Sequence, residues 1–501
     1  MSLFRTKSLD RLVAEGGDEE HGLKKALTAV DLVALGIGAI IGAGIFATLG
    51  SATSGASGAP AGPGVAVSIV ITALACGFCA LCYAEFASLV PVAGSAYTYS
   101  YATMGELVAW IIGWDLILEY AVGNIAVAIS WAAYFRQLFL GLGFEIPAWM
   151  ATDYRSALLA SRAVAEGATL GPEMSIAYQA WQSHPILLGV PVIVNLLAAS
   201  ITALITWLLV IGVKESARFN NVVVVLKVAT LLFFIAVGTL YVTPANWTPF
   251  FPGGFSGVWH GASLIFFAYI GFDAISTAAE ECKDPGRDMP RGIIGSLVIC
   301  TVLYVAAALV LTGMIPFTHL VGVADPLAAA LAYVKQGWAA GFLAFGAVVA
   351  MTAVLLVFQL GQARIFMVMS RDGLLGSWFS KVHPKYRTPH VATLVTGAFV
   401  AFFSALANID EIVQLTNIGT LFAFVLVCIG ILILRAKEPN RPRKFRVPFV
   451  PVIPLLGAGM CLFLMAGLPR LTWERFVLWL AAGLVLYFAY GRRKSRLATG
   501  A

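Results

Sequence analysis

Charge is scarce in this chain. Asp, Glu, Lys and Arg make up 12% of its 501 residues, while 60% are hydrophobic. A soluble domain carries about a quarter charged residues, so an ordinary water-soluble globule is excluded and a polytopic membrane protein is implied. Two catalytic signatures are missing as well. There is no His-Glu-x-x-His and no Gly-x-x-x-x-Gly-Lys-Ser/Thr, so neither zinc-dependent peptide cleavage nor P-loop ATP hydrolysis is expected, and the chain does not read as an enzyme. Cysteine is absent from the predicted outer loops: six of the seven lie in apolar runs and Cys282 lies at a helix end. A disulfide framework is therefore not expected. Cys76, Cys79 and Cys82 follow i, i+3, i+6 spacing, but one straight helix cannot wrap three ligands around zinc. They read as packing residues, and neither a metal nor a cofactor is expected. The first ~28 residues contain no apolar h-region, so no cleavable signal peptide is expected. Residues 22–30 read as an amphipathic lead-in on the membrane surface.

Apolar runs are what the chain has in abundance. Runs of spanning length fall at about 30–50, 65–90, 104–138, 188–212, 218–242, 257–280, 292–315, 338–369, 391–408, 411–434, 450–468 and 472–490, roughly twelve spans. The third and eighth are over-long and are expected to project beyond the bilayer or turn onto its surface. The net charge of +6 needs no nucleic acid to account for it, because the basic residues sit in loops flanking spans. The N-terminus, the loops after spans four, six, eight and ten, and the tail hold most of the lysines and arginines. The opposite side holds Arg155, Arg162, Lys335, Arg470 and Arg475. Both termini are thus expected in the cytoplasm of a multi-pass cell-membrane protein. The long polar stretch at about 141–187 is the main outer loop, and the last two spans read as peripheral.

Span one carries Gly36, Gly38, Gly42 and Gly44 inside its apolar run. Span six carries Gly271 and Asp273 near its middle, with Glu280 and Glu281 beyond. Glycines in one span alone could mean close helix packing. Matched interruptions five spans apart point instead to two broken helices in an inverted repeat, with a binding site at the midplane. Interrupted helices leave N–H and C=O groups that survive in lipid only where protein or a cavity satisfies them. Such groups suit a zwitterion, with N–H for its carboxylate and C=O for its ammonium.

Buried charge adds a second signal. Lys227 lies about ten residues, roughly 15 Å, inside span five, too deep for easy snorkelling. A buried amine can gain and lose a proton as a cavity opens to either side, so Lys227 is a candidate for proton coupling. Asp115 and Glu119 are four apart and share one face of span three. They could balance Lys227, hold a cationic group, relay protons or fix packing, and Asp273 could join them. Glu85 reads as structural.

Several stretches carry a resemblance. They are residues 36–46, 91–99, 105–120, 267–273, 284–290 and 370–374, together with His383-Pro384 and 387–389. With them the chain resembles the amino acid–polyamine–cation superfamily of transporters, most of all bacterial members of the cationic amino acid transporter branch. Two departures stand out: Gly376 replaces a frequent proline, and the outer loop is long for a bacterial member. The resemblance implies an all-α, LeuT-like, five-plus-five inverted repeat with discontinuous helices 1 and 6, plus two peripheral helices. The division is a cytoplasmic segment 1–28, a core 29–434, two added spans 435–490 and a tail 491–501. It implies that the substrate carboxylate meets backbone amides of Gly42, Ala43 and Gly44. The amino group meets carbonyls around Ile40 and around Phe267, Ala268 and Ile270. It puts the family's span-five lysine on Lys227 and its span-three glutamate on Glu119. Phe267 and Tyr269 become gate residues, and Val357 and Phe358 limit side-chain size.

The expected function is proton-coupled uptake of cationic or small neutral L-amino acids by alternating access. Acidic residues favour the first substrate class, and Phe358 favours the second. The alternatives are an amino acid exchanger without proton coupling and a sensor that binds amino acids without moving them. A channel is disfavoured because no ring of like charge or filter repeat is evident. The expected partners are the amino acid, protons and the lipid bilayer. A small accessory subunit is left open.

Overall fold

The computed structural model describes residues 5–7, 27–55, 58–89, 95–167, 170, 172–187, 189–212, 217–273, 275–276 and 282–499. Most of the amphipathic lead-in, the first residues of the 91–99 motif, and Glu280 and Glu281 lie outside them. The described chain is mostly helical. In order the principal helices are α1 (Ala29–Ile40), α2 (Leu49–Ser54), α3 (Val65–Leu89), α4 (Ser95–Thr103), α5 (Glu106–Gly141), α6 (Tyr154–Ala165), α7 (Pro172–Ser183), α8 (Leu196–Ile211) and α9 (Ala217–Thr239). There follow α10 (Gly254–Ile265), α11 (Pro285–Met314), α12 (Pro326–Tyr333), α13 (Gly337–Arg371), α14 (His390–Leu406), α15 (Ile409–Lys437), α16 (Val452–Ala466) and α17 (Arg470–Leu486). A two-stranded antiparallel ribbon, β1 (Ile186–Leu187) and β2 (Val190–Pro191), lies between α7 and α8.

Among the described residues eight helical segments are long and apolar enough to cross a membrane, and α8, α14 and α16 are shorter apolar helices. The third and eighth runs are continuous, as α5 and α13, with 36 and 35 residues. The fourth run begins later than expected, at Leu196, because the ribbon and an extended stretch occupy its start. The polar stretch at 141–187 is not irregular: it holds α6 and α7, which pack on each other through Ala157 and Ala180. The last long helix, α17, carries Glu474 and Arg475 near its start.

Helix ends follow local chemistry. Thr28 and Asp31 form a capping box at the start of α1, satisfying donors that a helix N-terminus leaves bare. Asn195 caps α8 by accepting from Ala198 N at 3.1 Å. Gly55, with φ 77°, closes α2 in the left-handed region that glycine tolerates. Glu85 at the end of α3 accepts from Arg435 Nη2 at 2.6 Å and from Val447 N at 2.7 Å, which fits its structural reading. Cys79 of α3 meets Cys461 of α16 at 3.4 Å and Cys428 of α15 at 3.6 Å, sulfur to sulfur. The α3 cysteines thus sit at a three-helix packing seam.

The helices pack in two groups. α1, α3, α10 and α11 lie against one another, and α5, α8, α13 and α14 form the second set. α9 bridges them, touching α1, α11 and α13, while α15 leans on α3, α4 and α5. Outward faces are apolar, with Val225 and Leu232 of α9 and Val298 and Val302 of α11 exposed, as a lipid-facing surface requires.

Candidate functional site

Both segments marked by glycine are interrupted, and the interruptions touch. In the first, Ile41 leaves the helix at φ −74°, ψ 99°. Gly42 bends, and the chain rewinds through a wide π-helical turn over Gly44–Thr48 before α2. In the second, α10 tightens into a 3₁₀ turn at Phe266–Tyr269, Ile270 is extended at φ −58°, ψ 135°, and Gly271 takes φ 111°. A Cβ on Gly44 would collide with the main chain of Ala268, and one on Gly271 with the carbonyl of Ala39. These two glycines are required by direct backbone approach between the segments.

Named side chains hold the carbonyls freed by the breaks. The Tyr304 hydroxyl of α11 lies 2.9 Å from Ile40 O and 3.1 Å from Ala268 O. One donor therefore reaches an end carbonyl of each interrupted helix. Asn417 of α15 donates to Ser263 O at 2.8 Å and to Leu264 O at 3.0 Å. Tyr134 of α5 donates to Phe46 O at 2.7 Å. Lys227 of α9, 2% exposed, donates from Nζ to Gly38 O at 2.6 Å. Without such donors each main-chain group would be stranded in a low-dielectric interior at a cost of ~1–3 kcal/mol.

Among the described residues no ion pair joins Lys227 to Asp115 or Glu119; the lysine is on the α1 side and the acids gather toward α15. Asp115 is buried beside Gly419, and among the described residues neither of its oxygens has a hydrogen-bond partner. Glu119 sits in a second π-helical turn, Leu118–Val122 of α5, beside Asp273 and Thr420. Such single wide turns cluster at functional positions. The Tyr120 hydroxyl approaches Asp273 Oδ2 at 3.5 Å.

The selectivity and gate candidates separate. Phe358 of α13 meets Tyr120 edge to face, with centroids 5.7 Å apart. Val354, one turn before it, is the residue packed on Gly42, whereas Val357 is only half-buried. Phe267 is buried within the turn. Tyr269 is fully buried and donates to Thr301 Oγ1 of α11 at 3.0 Å, a position turned toward α11.

Next to the breaks lies a cavity of about 210 Å³, lined by Thr48, Ser51, Leu264, Arg136, Asp153 and Asp410 among others. Ser51 donates to Asp410 Oδ1 at 2.8 Å, tying α2 to α15. The α6 and α7 helices line one side of this cavity. Asp153 caps α6, accepting from Ser156 N at 2.8 Å, Asn408 donates to Ser156 Oγ at 3.1 Å, and Arg155 pairs with Glu411. Glu411 also pairs with Arg475 of α17 at 3.1 Å. Burial holds the Asp153 carboxyl above the usual carboxylate range, against the hydrogen bonds from Ser156 that favour its charged form.

Sequence reasoning missed Tyr304, Asn417, Tyr134 and Val354. The available signal was a polar group inside an apolar run, which must find a partner. Those partners lie far away in sequence, 264 residues in the case of Tyr304 and Ile40.

Comparison with known proteins follows the same lines. A family model described as amino acid permease matches residues 27–488. The chain is 47% identical over 496 residues to the branched-chain amino acid permease BcaP of Bacillus subtilis (strain 168), covering 99% of each. It is 45% identical over 496 residues to the methylthioribose transporter of the same organism, again covering 99% of each. It is 35% identical over 445 residues to the vacuolar cationic amino acid transporter 4 of Arabidopsis thaliana, covering 88% of this chain and 68% of that one.

Proposed function

The chain belongs to the amino acid permease family of the amino acid–polyamine–cation superfamily, and from that premise we propose that it carries a neutral aliphatic L-amino acid across the membrane by alternating access. The observation that supports this reading is the Tyr304 hydroxyl shared by Ile40 O and Ala268 O. It marks a place where one donor, such as a substrate ammonium, can bridge both interrupted helices. In this reading the carboxylate meets the amides of Gly42, Ala43 and Gly44. The ammonium meets carbonyls at Ile40, Phe267, Ala268 and Ile270. The side chain meets Val354 and Phe358. An apolar wall suits a branched aliphatic group, and a branched-chain permease stands among the relatives.

The helix packing supports a LeuT-like inverted repeat. Segments one, two, six and seven form one group and three, four, eight and nine the other, so each group pairs elements five apart. Rocking of the first group against the second would expose the breaks to either side. Lys227, bonded to Gly38 O, would tie proton loss and gain to the position of α1. A proton crossing 100 mV supplies about 2.3 kcal/mol, enough for roughly fifty-fold accumulation.

A second reading, cationic substrates, is favoured by the carboxylates of Asp115, Glu119 and Asp273 near Tyr120. Uptake into proteoliposomes under an inward proton gradient separates the readings. Leucine, isoleucine and valine are expected to compete with one another and not with arginine or lysine. Saturating uptake of arginine unaffected by leucine would reverse the assignment, and selective uptake of methylthioribose would displace both. Exchange only against internal substrate, or binding with no uptake, would favour the exchanger or the sensor.

A further inference from the structure

An open cleft of about 720 Å³ lies at the start of α11, on the arginine-rich face and away from the breaks. Its rim carries Arg287, Arg291 and Lys444 against one carboxylate, Asp284. The arginines stand four apart on one helical face. The stem of Lys444 crosses the first turn of α11 directly over Gly286, where any Cβ would strike it. Its ammonium thereby reaches Asp284 Oδ1 at 3.2 Å. Ile294 and Phe445 supply an apolar floor.

The cleft does not end in water. Arg287, Arg291, Ile294, Val298 and Val302 are spaced four, three, four and four along α11, so they form one stripe. Its far part is bare, with Val298 56% and Val302 64% exposed. A stripe that begins with two guanidinium groups and continues as branched aliphatics matches a molecule with an anionic head and an acyl tail. A free phosphate would use only the first half. Guanidinium groups bind phosphate oxygens in bidentate fashion, and basic residues at a membrane face attract anionic headgroups.

We propose that this cleft binds one negatively charged phospholipid, its phosphate on Arg287, Arg291 and Lys444 and an acyl chain along Ile294, Val298 and Val302. The site bears on the breaks through α11 itself. Leu32 of α1 covers Gly292, Ser296 packs on Gly36, and Tyr304 lies further along the same helix. A lipid held at the start of α11 therefore favours one placement of α1 against it.

Native mass spectrometry of the full chain tests this without relying on transport. The purified protein is offered phosphatidylglycerol or phosphatidylcholine, with inorganic phosphate as a competitor. The expected result is at least a tenfold preference for phosphatidylglycerol, lost in the double variant Arg287→Gln, Arg291→Gln and weakened in Lys444→Gln. It should be unchanged in Arg492→Gln, Arg493→Gln on the tail. Equal binding of the two lipids, or an unchanged preference in the cleft variants, would overturn the proposal. Displacement by millimolar inorganic phosphate would assign the site to free anion instead. The substituted side chains are exposed, so unchanged melting temperatures are expected. If the double variant unfolds, Val302→Gln must weaken phosphatidylglycerol retention on its own.

Discussion

At the scale of single residues, two side chains carry most of the account. Tyr304 binds a carbonyl of each interrupted helix, so Tyr304→Phe leaves both without that donor. Hydrogen bonds between membrane helices average about 0.6 kcal/mol and reach ~1.7. The variant is therefore expected to fold, to melt a few degrees lower, and to bind substrate several-fold more weakly in a thermal-shift titration. Unchanged affinity would make Tyr304 a packing residue only. Lys227 is fixed to Gly38 O and is expected to couple the proton. Lys227→Met should abolish uptake driven by a pH gradient while leaving substrate binding measurable. Persistent gradient-driven uptake would remove the lysine from the mechanism. The candidates of this kind were legible in the sequence because a charge inside an apolar run is conspicuous on its own. Val354, an ordinary valine, was not, since only the fold brings it against Gly42.

At the scale of elements, the breaks were readable because glycine in the middle of a spanning run contradicts a continuous helix. Their matched positions also suggested that the breaks meet, but which residues touch was not readable, because Gly44 and Ala268 meet only through the packing of distant segments. Nor were α6 and α7, short helices whose apolar face is small, visible in the polar stretch at 141–187. They line one side of the cavity of Ser51 and Asp410, held by Arg155, Ser156 and Asp153. Burial raises the Asp153 carboxyl above its ordinary value, so the folded lid holds that proton more tightly than the opened one. Its attachment is strongest below the ordinary carboxylate value of ~3.9 and weakens as pH rises through the raised value. Hydrogen exchange over 154–165, corrected for intrinsic rate, should show less protection at neutral than at acidic pH. Asp153→Asn should flatten that difference. A lid more protected at neutral pH would contradict the assignment.

At the scale of the whole molecule, two interrupted helices meet between the helical groups, and the proposed binding mode offers main chain, rather than charged side chains, to the ligand. Membership in the permease family was legible from motifs spread over most of the chain. Substrate preference was not, because in the proposed binding mode it would rest on a few contacts among Val354, Phe358, Tyr120 and the nearby carboxylates. The central claim is that amides of one segment and carbonyls of both grip the two charges of a zwitterion. Its most direct test is calorimetric titration of the purified protein with leucine, with leucine lacking its amino group, and with the amine left by its decarboxylation. The account predicts measurable binding of leucine and at least a hundredfold weaker binding of each fragment. Equal binding of either fragment would show that one charge suffices, and the two-segment grip would be wrong.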